Sequence, residues 1–149
     1  MAIRPDGLVK VLDFGVSALA GDGDSIDPIR RDSLVGTLHY LSPEQVRGEP
    51  IIDTRSDVWS LGVVMYEMLA QRAPFTGSHV MDILAAIVEG EPSPLPALVP
   101  AALRDLVTRS LAKDMYRRPQ TAAEVASRLA EIRLELMLRS RVTITAAHQ

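Results

Sequence analysis

Asp57-Val58-Trp59-Ser60-Leu61-Gly62-Val63-Val64-Met65-Tyr66-Glu67-Met68-Leu69-Ala70-Gln71 is the stretch that decides the fold. Val58, Trp59, Leu61, Val63, Val64, Met65, Met68 and Leu69 put apolar side chains on nearly every side of one helix. A helix apolar all round is stable only with other elements packed about it. Pro74 is expected to end it, since proline has no N–H to continue the ladder. Upstream, Ser42-Pro43-Glu44-Gln45 reads as a short capped helix, with an N-cap hydroxyl, Pro at the first position and Gln at the third. Gly48 is its expected stop. Downstream, Val80 to Glu89 reads as a helix, and Pro92, Pro94 and Pro96 break the chain after it. Ala101 to Ala112 reads as another, with Leu103, Leu106, Val107 and Leu111 on one stripe. Thr121-Ala122-Ala123-Glu124 is a second capping box, opening a helix to about Arg139. Thr143 to Gln149 reads as a frayed tail.

The N-terminal part is built differently. Ala2 to Arg4 and Leu8 to Leu12 are short apolar-rich runs about Pro5-Asp6-Gly7, which predicts a β-hairpin. Residues 16–41 are rich in Gly, Asp and Ser and carry no sustained period. A loop that long is usually functional or disordered. Gly21-Asp22-Gly23 lacks the strand and helix of a phosphate loop, and Asp22, Asp24 and Asp27 lack the ligand spacing of a calcium loop. The 149 residues include no Cys, which excludes a disulfide scaffold or a Cys-based zinc site. The net charge of −3 argues against a nucleic-acid partner. The start has no apolar signal-peptide core, and the most apolar stretch, Val58 to Ala70, is too short to span a membrane. The expected compartment is the cytoplasm. His39, His79 and His148 have no metal-ligand spacing and read as surface or packing residues.

An ordered set of motifs runs through these elements. Asp13-Phe14-Gly15 follows the predicted strand Leu8 to Leu12. Gly36-Thr37-Leu38-His39-Tyr40-Leu41-Ser42-Pro43-Glu44 closes the long loop. Asp57-Val58-Trp59-Ser60-Leu61-Gly62 opens the apolar helix, Pro74-Phe75 follows it, and Lys113-Asp114-Met115-Tyr116-Arg117-Arg118-Pro119 comes last. This set resembles the protein kinase family, most closely its bacterial serine/threonine branch, over residues 1 to about 136. The fold class implied is mainly α: the C-terminal, helical lobe of a protein-kinase-like fold, with a short N-terminal β-hairpin. A partial kinase domain over 1–138 is expected, made of a strand pair in 2–12, an activation segment in 13–44 and a helical lobe in 45–138, followed by a tail in 139–149.

The resemblance implies roles for particular residues. Asp13 corresponds to the aspartate that binds Mg²⁺ between the ATP phosphates, a hard cation that takes carboxylate oxygen. Phe14 packs beneath it and Gly15 lets the backbone swing; these three are the implied cofactor-binding residues. Thr37 corresponds to the threonine that helps orient the substrate hydroxyl. Ser42-Pro43-Glu44 stands where the family has Ala-Pro-Glu. Asp57 corresponds to the aspartate that holds the catalytic-loop backbone. Glu44 is expected to pair with Arg118, the arginine just before Pro119, with Arg117 as the rival. Ser33, then Ser25, are the expected phosphorylation sites, since Arg30 and Arg31 lie close by.

The departures from the family bear on activity. The family needs a Gly-rich phosphate cover, a strand lysine, and a catalytic loop with an Asp base and an Asn for the second Mg²⁺. The chain contains no Asn, and its two lysines are Lys10 and Lys113. Neither lysine stands in the family's order before Asp13-Phe14-Gly15 at the ATP position. The family reaction is ATP-dependent phosphorylation of protein Ser or Thr, with ATP and Mg²⁺ as cofactors. This chain alone is expected to bind them weakly and to be inactive. Its expected partners are a protein substrate, or a kinase or the missing N-terminal part. The alternative is a non-catalytic docking module. An exposed apolar patch, with self-association or poor solubility, is expected where the absent half would have covered the apolar helix.

Overall fold

A computed structural model of the chain describes residues 2–3, 9–10 and 38–146, with side chains over 38–139. The chain divides into two units, Met1–Arg31 and Asp32–Gln149. In the first, β1 (Ala2–Ile3) pairs antiparallel with β2 (Val9–Lys10), Ala2 opposite Lys10 and Ile3 opposite Val9. The rest of the two expected runs, Arg4, Leu8, Val11 and Leu12, lies outside the described residues, and so does the expected Pro5-Asp6-Gly7 turn.

The second unit is helical. Helix α1 (Pro43–Arg47) opens as its sequence dictates, with Pro43 at the first position, where no donor is needed. The Gln45 side-chain oxygen accepts from the Ser42 backbone N–H at 2.9 Å and from the Ser42 hydroxyl at 3.0 Å. Gly48 closes the helix in the left-handed region at φ 64°, which glycine adopts without a Cβ penalty. Helix α2 (Thr54–Ala70) begins three residues before the expected Asp57. The reason is Asp53, whose carboxylate accepts from the Arg55 backbone N–H at 2.9 Å and so caps the first turn. The helix also stops ahead of Pro74, at Gln71, which takes φ 56°. Gln71 holds this conformation by donating twice to open carbonyls: its backbone N–H to Glu67 and its side-chain amide to Met68, both at 2.8 Å.

Helices α3 (Val80–Glu89) and α4 (Ala101–Ser110) follow, then a 3-10 turn (Met115–Arg117) and the long helix α5 (Ala122–Ala146). The start of α5 keeps half of the expected capping box. The Glu124 backbone N–H donates to the Thr121 hydroxyl oxygen at 3.1 Å, while the Glu124 carboxylate reaches the Gln120 N–H at 2.8 Å instead of that of Thr121. Its end lies at Ala146, beyond Arg139, so residues 139–146 of the expected tail are helical. No Gly or Pro interrupts Leu134 to Ala146, so nothing in the chain stops the helix earlier.

Two apolar clusters join these helices. One gathers Trp59, Val63 and Tyr66 of α2 with Phe75 beyond its end, Ile83 and Ile87 of α3, Val107 of α4 and Leu111. The other sets Val58 of α2 and Leu106 of α4 against Val125 and Ile132 of α5. Gly62 lets α2 and α4 meet closely: a Cβ there would stand 2.8 Å from the Ser110 Cβ. The central helix is not covered on all sides, as an all-round apolar pattern would require. Leu61 is 39% and Met68 70% exposed, and they lie on the side of α2 away from both clusters.

Candidate functional site

The described part of the site is the anchor at the end of residues 13–44. It begins where the chain runs alongside α2. The Tyr40 hydroxyl donates to Glu67 Oε2 at 2.8 Å, and the Ser60 hydroxyl donates to the Tyr40 carbonyl at 3.0 Å. Burial raises the Tyr40 hydroxyl above its ordinary value, and the Glu67 carboxylate adds to the rise. His39 Nδ1 lies 3.1 Å from the Phe75 carbonyl, a packing role within reach of one hydrogen bond. Helix α2 thus holds this segment through Ser60 and Glu67, two turns apart, and Phe75 beyond its end adds a third contact.

Glu44 and Arg118 form the centre of the anchor. Arg118 Nη1 donates to Glu44 Oε1 and Nη2 to Oε2, both at 2.8 Å, with the side chains 0% and 3% exposed. The fork of a guanidinium matches a carboxylate in this way, and an ammonium does not. The remaining donors are used as well. Nε donates to the Ala112 carbonyl at 2.8 Å, Nη1 to Arg55 at 3.1 Å and Nη2 to Lys113 at 3.2 Å. All five N–H groups therefore have partners, which is what a buried guanidinium requires. The Ser56 hydroxyl donates to Glu44 Oε1 at 2.7 Å. Burial pushes the Glu44 carboxyl up, but the bonds from Arg118 and Ser56 outweigh it and hold the group down at about 2. Arg117, the rival for this pairing, is exposed and lies 3.9 Å from Asp114.

Lys113 is a residue that the motif reading left without a role. Its Nζ donates to the carbonyls of Ile87 at 2.6 Å and Ala86 at 3.2 Å, at the C-terminal end of α3. Arg47 Nη2 donates to Val88 at 3.4 Å, so two cations meet the negative end of that helix. Lys113 Nζ also stands 3.9 Å from the Phe75 ring centroid and 5.1 Å from that of Trp59. Trp59 and Phe75 stack at 5.4 Å, and the Arg118 guanidinium lies 5.1 Å from the Trp59 ring. Burial pushes the Lys113 ammonium down to about 8, against the opposing pull of Glu91. A lysine just before an Asp N-cap, with all of α4 between it and its acceptors, gives no local sign of such a role. Asp53 is held down at about 2 by the Arg55 guanidinium, which also lies 4.6 Å above the Tyr116 ring.

Of the expected site residues, the structure brings together Glu44 and Arg118. Asp57 is exposed in the first turn of α2 and has no hydrogen-bonded or ionic partner among the described residues. Asp13, Phe14, Gly15, Ser25, Ser33 and Thr37 lie outside the described residues. Among those described, no group of three His, Cys, Asp or Glu comes together as a metal site, and no helix is long and apolar enough to cross a membrane.

A helical lobe whose Ser-Pro-Glu glutamate is gripped by a late arginine is the arrangement that the motifs imply for a protein kinase. The family model for the protein kinase domain matches residues 2–129, and the chain belongs to that family. Its relatives place it with the bacterial serine/threonine kinases, as the C-terminal part of the domain. It is 41% identical over 134 residues to the serine/threonine-protein kinase PknB of Mycobacterium tuberculosis, covering 87% of this chain and 21% of that protein. It is 39% identical over 134 residues to the serine/threonine-protein kinase drp72 of Corynebacterium efficiens, covering 90% of this chain and 25% of the relative. To a probable serine/threonine-protein kinase PknB of Bifidobacterium longum it is 42% identical over 125 residues, covering 82% and 18%. The chain thus spans a quarter or less of the length of these curated relatives.

Proposed function

We propose that this chain supplies the activation segment and helical lobe for ATP-dependent phosphorylation of protein Ser or Thr in the cytoplasm, and that its 149 residues by themselves do not transfer phosphate. The observation that carries this reading is Asp57. By family resemblance it holds the catalytic-loop backbone, and here it is exposed with no partner among the described residues. The composition agrees, since the chain has no Asn to hold a second Mg²⁺. Phosphoryl transfer depends on positioning and charge neutralisation, so loss of the base, the ATP lysine and one metal ligand together removes most of the catalysis. ATP and Mg²⁺ are cofactors of the family reaction, with Asp13 as this chain's implied Mg²⁺ ligand. Incubated with labelled ATP, Mg²⁺ and a generic protein substrate, the chain is expected to transfer no more label than its Asp13→Ala variant. Transfer that this substitution abolishes would refute the reading.

The described helices close a core of their own. Both apolar clusters and the Glu44–Arg118 anchor close within residues 38–139. This favours, as the second reading, a non-catalytic docking module that binds a kinase or its substrate without ATP. On either reading the segment before the anchor is a phosphoacceptor. Treated with an active relative, the chain is expected to gain phosphate first at Ser33 and second at Ser25, near Arg30 and Arg31. Mass spectrometry that finds phosphate only outside residues 16–35 would contradict this.

A further inference from the structure

Residues 90–100 join α3 to α4 without helix or strand, and they carry a serine between two prolines, Pro92-Ser93-Pro94. A residue before proline is pushed out of the helical region, so Ser93 is biased to an extended backbone. The segment is nonetheless anchored. The hydroxyl of the buried Tyr66 donates to the Ser93 carbonyl at 2.8 Å, Leu95 packs against the first apolar cluster, and Val99 is buried. Ser93 itself is exposed, and its hydroxyl has no hydrogen-bond partner among the described residues. The ring that holds its carbonyl also neighbours a free cation. The Arg72 guanidinium lies 5.9 Å from the Tyr66 ring centroid, and Arg72 is exposed with no carboxylate partner among the described residues. Glu91, the carboxylate nearest to Ser93 in sequence, interacts with the Lys113 ammonium, which offsets its charge.

We propose that Ser93 is a phosphorylation site and that Arg72 holds the phosphate once it is in place. Phosphoryl transfer depends on positioning, and an extended, anchored segment offers its hydroxyl at a fixed place. The other exposed hydroxyls lack this combination. Thr54, Thr108 and Ser127 stand on helices, whose closed hydrogen bonding keeps the backbone from being laid out. Thr76 and Ser78 flank Gly77, which lies against Asp82, a carboxylate that repels phosphate. In the transfer, Ser93 Oγ bonds to the γ-phosphorus of ATP as the bond to ADP breaks, and the hydroxyl proton passes to the base of the serine/threonine kinase that acts on the chain. The product carries a charge of about −2, and a guanidinium fork suits its oxygens. The pair ties the link between α3 and α4 to the end of α2. The proposal stands apart from Ser25 and Ser33 and holds for either reading of the function, since a second kinase molecule makes the transfer.

Incubation of the whole chain with an active serine/threonine kinase of this family, ATP and Mg²⁺, followed by tandem mass spectrometry, tests it. Phosphate is expected on Ser93 in the wild type and in the Ser25→Ala/Ser33→Ala variant, and Ser93→Ala is expected to remove one phosphate from the total. Tyr66→Phe releases the Ser93 carbonyl and is expected to slow transfer to Ser93 at least about threefold, with circular dichroism confirming the fold. The ³¹P resonance of the phosphoserine in the Ser25→Ala/Ser33→Ala background reads the role of Arg72. Its second pKa, ordinarily about 6, is expected to lie at least about half a unit lower with Arg72 present than in Arg72→Ala. A chain phosphorylated at Ser33 and Ser25 but never at Ser93 overturns the proposal and leaves the reading of the function intact; a chain that takes no phosphate anywhere overturns both this site and the expected ones. Equal transfer in Tyr66→Phe overturns the anchoring argument, and equal titration in Arg72→Ala overturns the assignment of Arg72.

Discussion

Arg118→Ala is expected to cost about 3–5 kcal/mol of stability, because the Glu44 carboxylate stays buried with its main partner gone. For a domain of this size that corresponds to a fall in melting temperature of about 10–15 °C. Arg118→Lys keeps the charge but loses the fork and most of the carbonyl contacts, so it should recover only part of the loss. Glu44→Gln should be similar to Arg118→Ala, and the double variant should cost less than the sum of the two. It should not return to wild type, since the Ala112, Lys113 and Arg55 carbonyls and the Ser56 hydroxyl lose partners as well. The pair also sets an acid limit. Glu44 titrates near 2 in the folded chain against an ordinary value of 4.5. A carboxyl depressed in this way contributes fully above the unfolded value, and its contribution is lost as pH falls from about 4.5 through about 2. The stability gap between wild type and Glu44→Gln should therefore narrow across that window. Single substitutions that each shift the melting point by only 1–2 °C, the size expected of a solvated pair, would show the anchor to be ornamental.

Trp59→Ala should be about as damaging, at roughly 3–5 kcal/mol, since it empties a fully buried site between α2, α3 and α4. The stack on Phe75 goes with it, and so do the ring contacts of Lys113 and Arg118. Trp59→Phe should cost much less, under about 2 kcal/mol. The Trp59 Nε1–H is buried without a hydrogen-bond partner among the described residues, so removing it loses none of the described bonds and relieves a desolvated donor. Urea denaturation of the three proteins measures both differences. A Trp59→Phe variant as unstable as Trp59→Ala would mean that indole shape, and not aromatic cover, holds the cluster together.

The parts of this site that could be read beforehand are those whose chemistry is local or whose partner carries a marker. The Glu44–Arg118 pairing was implied by the resemblance, which marks Glu44 by the Ser-Pro before it and Arg118 by the proline after it. Helices α3 and α4 show their stripes within ten residues each. The start of α2 was legible in principle, since Asp53 is a good N-cap, but it follows Pro50-Ile51-Ile52 and the apolar period begins only at Val58. Its end was not legible, because a left-handed glutamine depends on the side chain finding the Met68 carbonyl. Lys113 was invisible for a related reason. Its role arises only when folding brings the end of α3 and two aromatic faces around it. The exposed side of α2 shows the limit of periodicity: an all-round apolar helix states that cover is needed and not what supplies it.

The distance along the chain between Glu44 and Arg118 has a consequence for time. The two are 74 positions apart. Closing a loop of that length costs about 4 kcal/mol of chain entropy. An isolated contact cannot meet that cost early in folding, so α2 and α4 must already have drawn the ends together. The pair is then expected to close late and open early, a latch on a structure assembled by other contacts. Contacts absent from the transition state act on the rate of unfolding, and contacts already present in it act on the rate of folding. Arg118→Ala should therefore steepen the loss of folded molecules and leave their formation unchanged; a slowed folding limb would instead place the pair in the nucleus. In a chain whose residues 38–44 are tethered by this latch, the lifetime of the anchored state is set at one arginine.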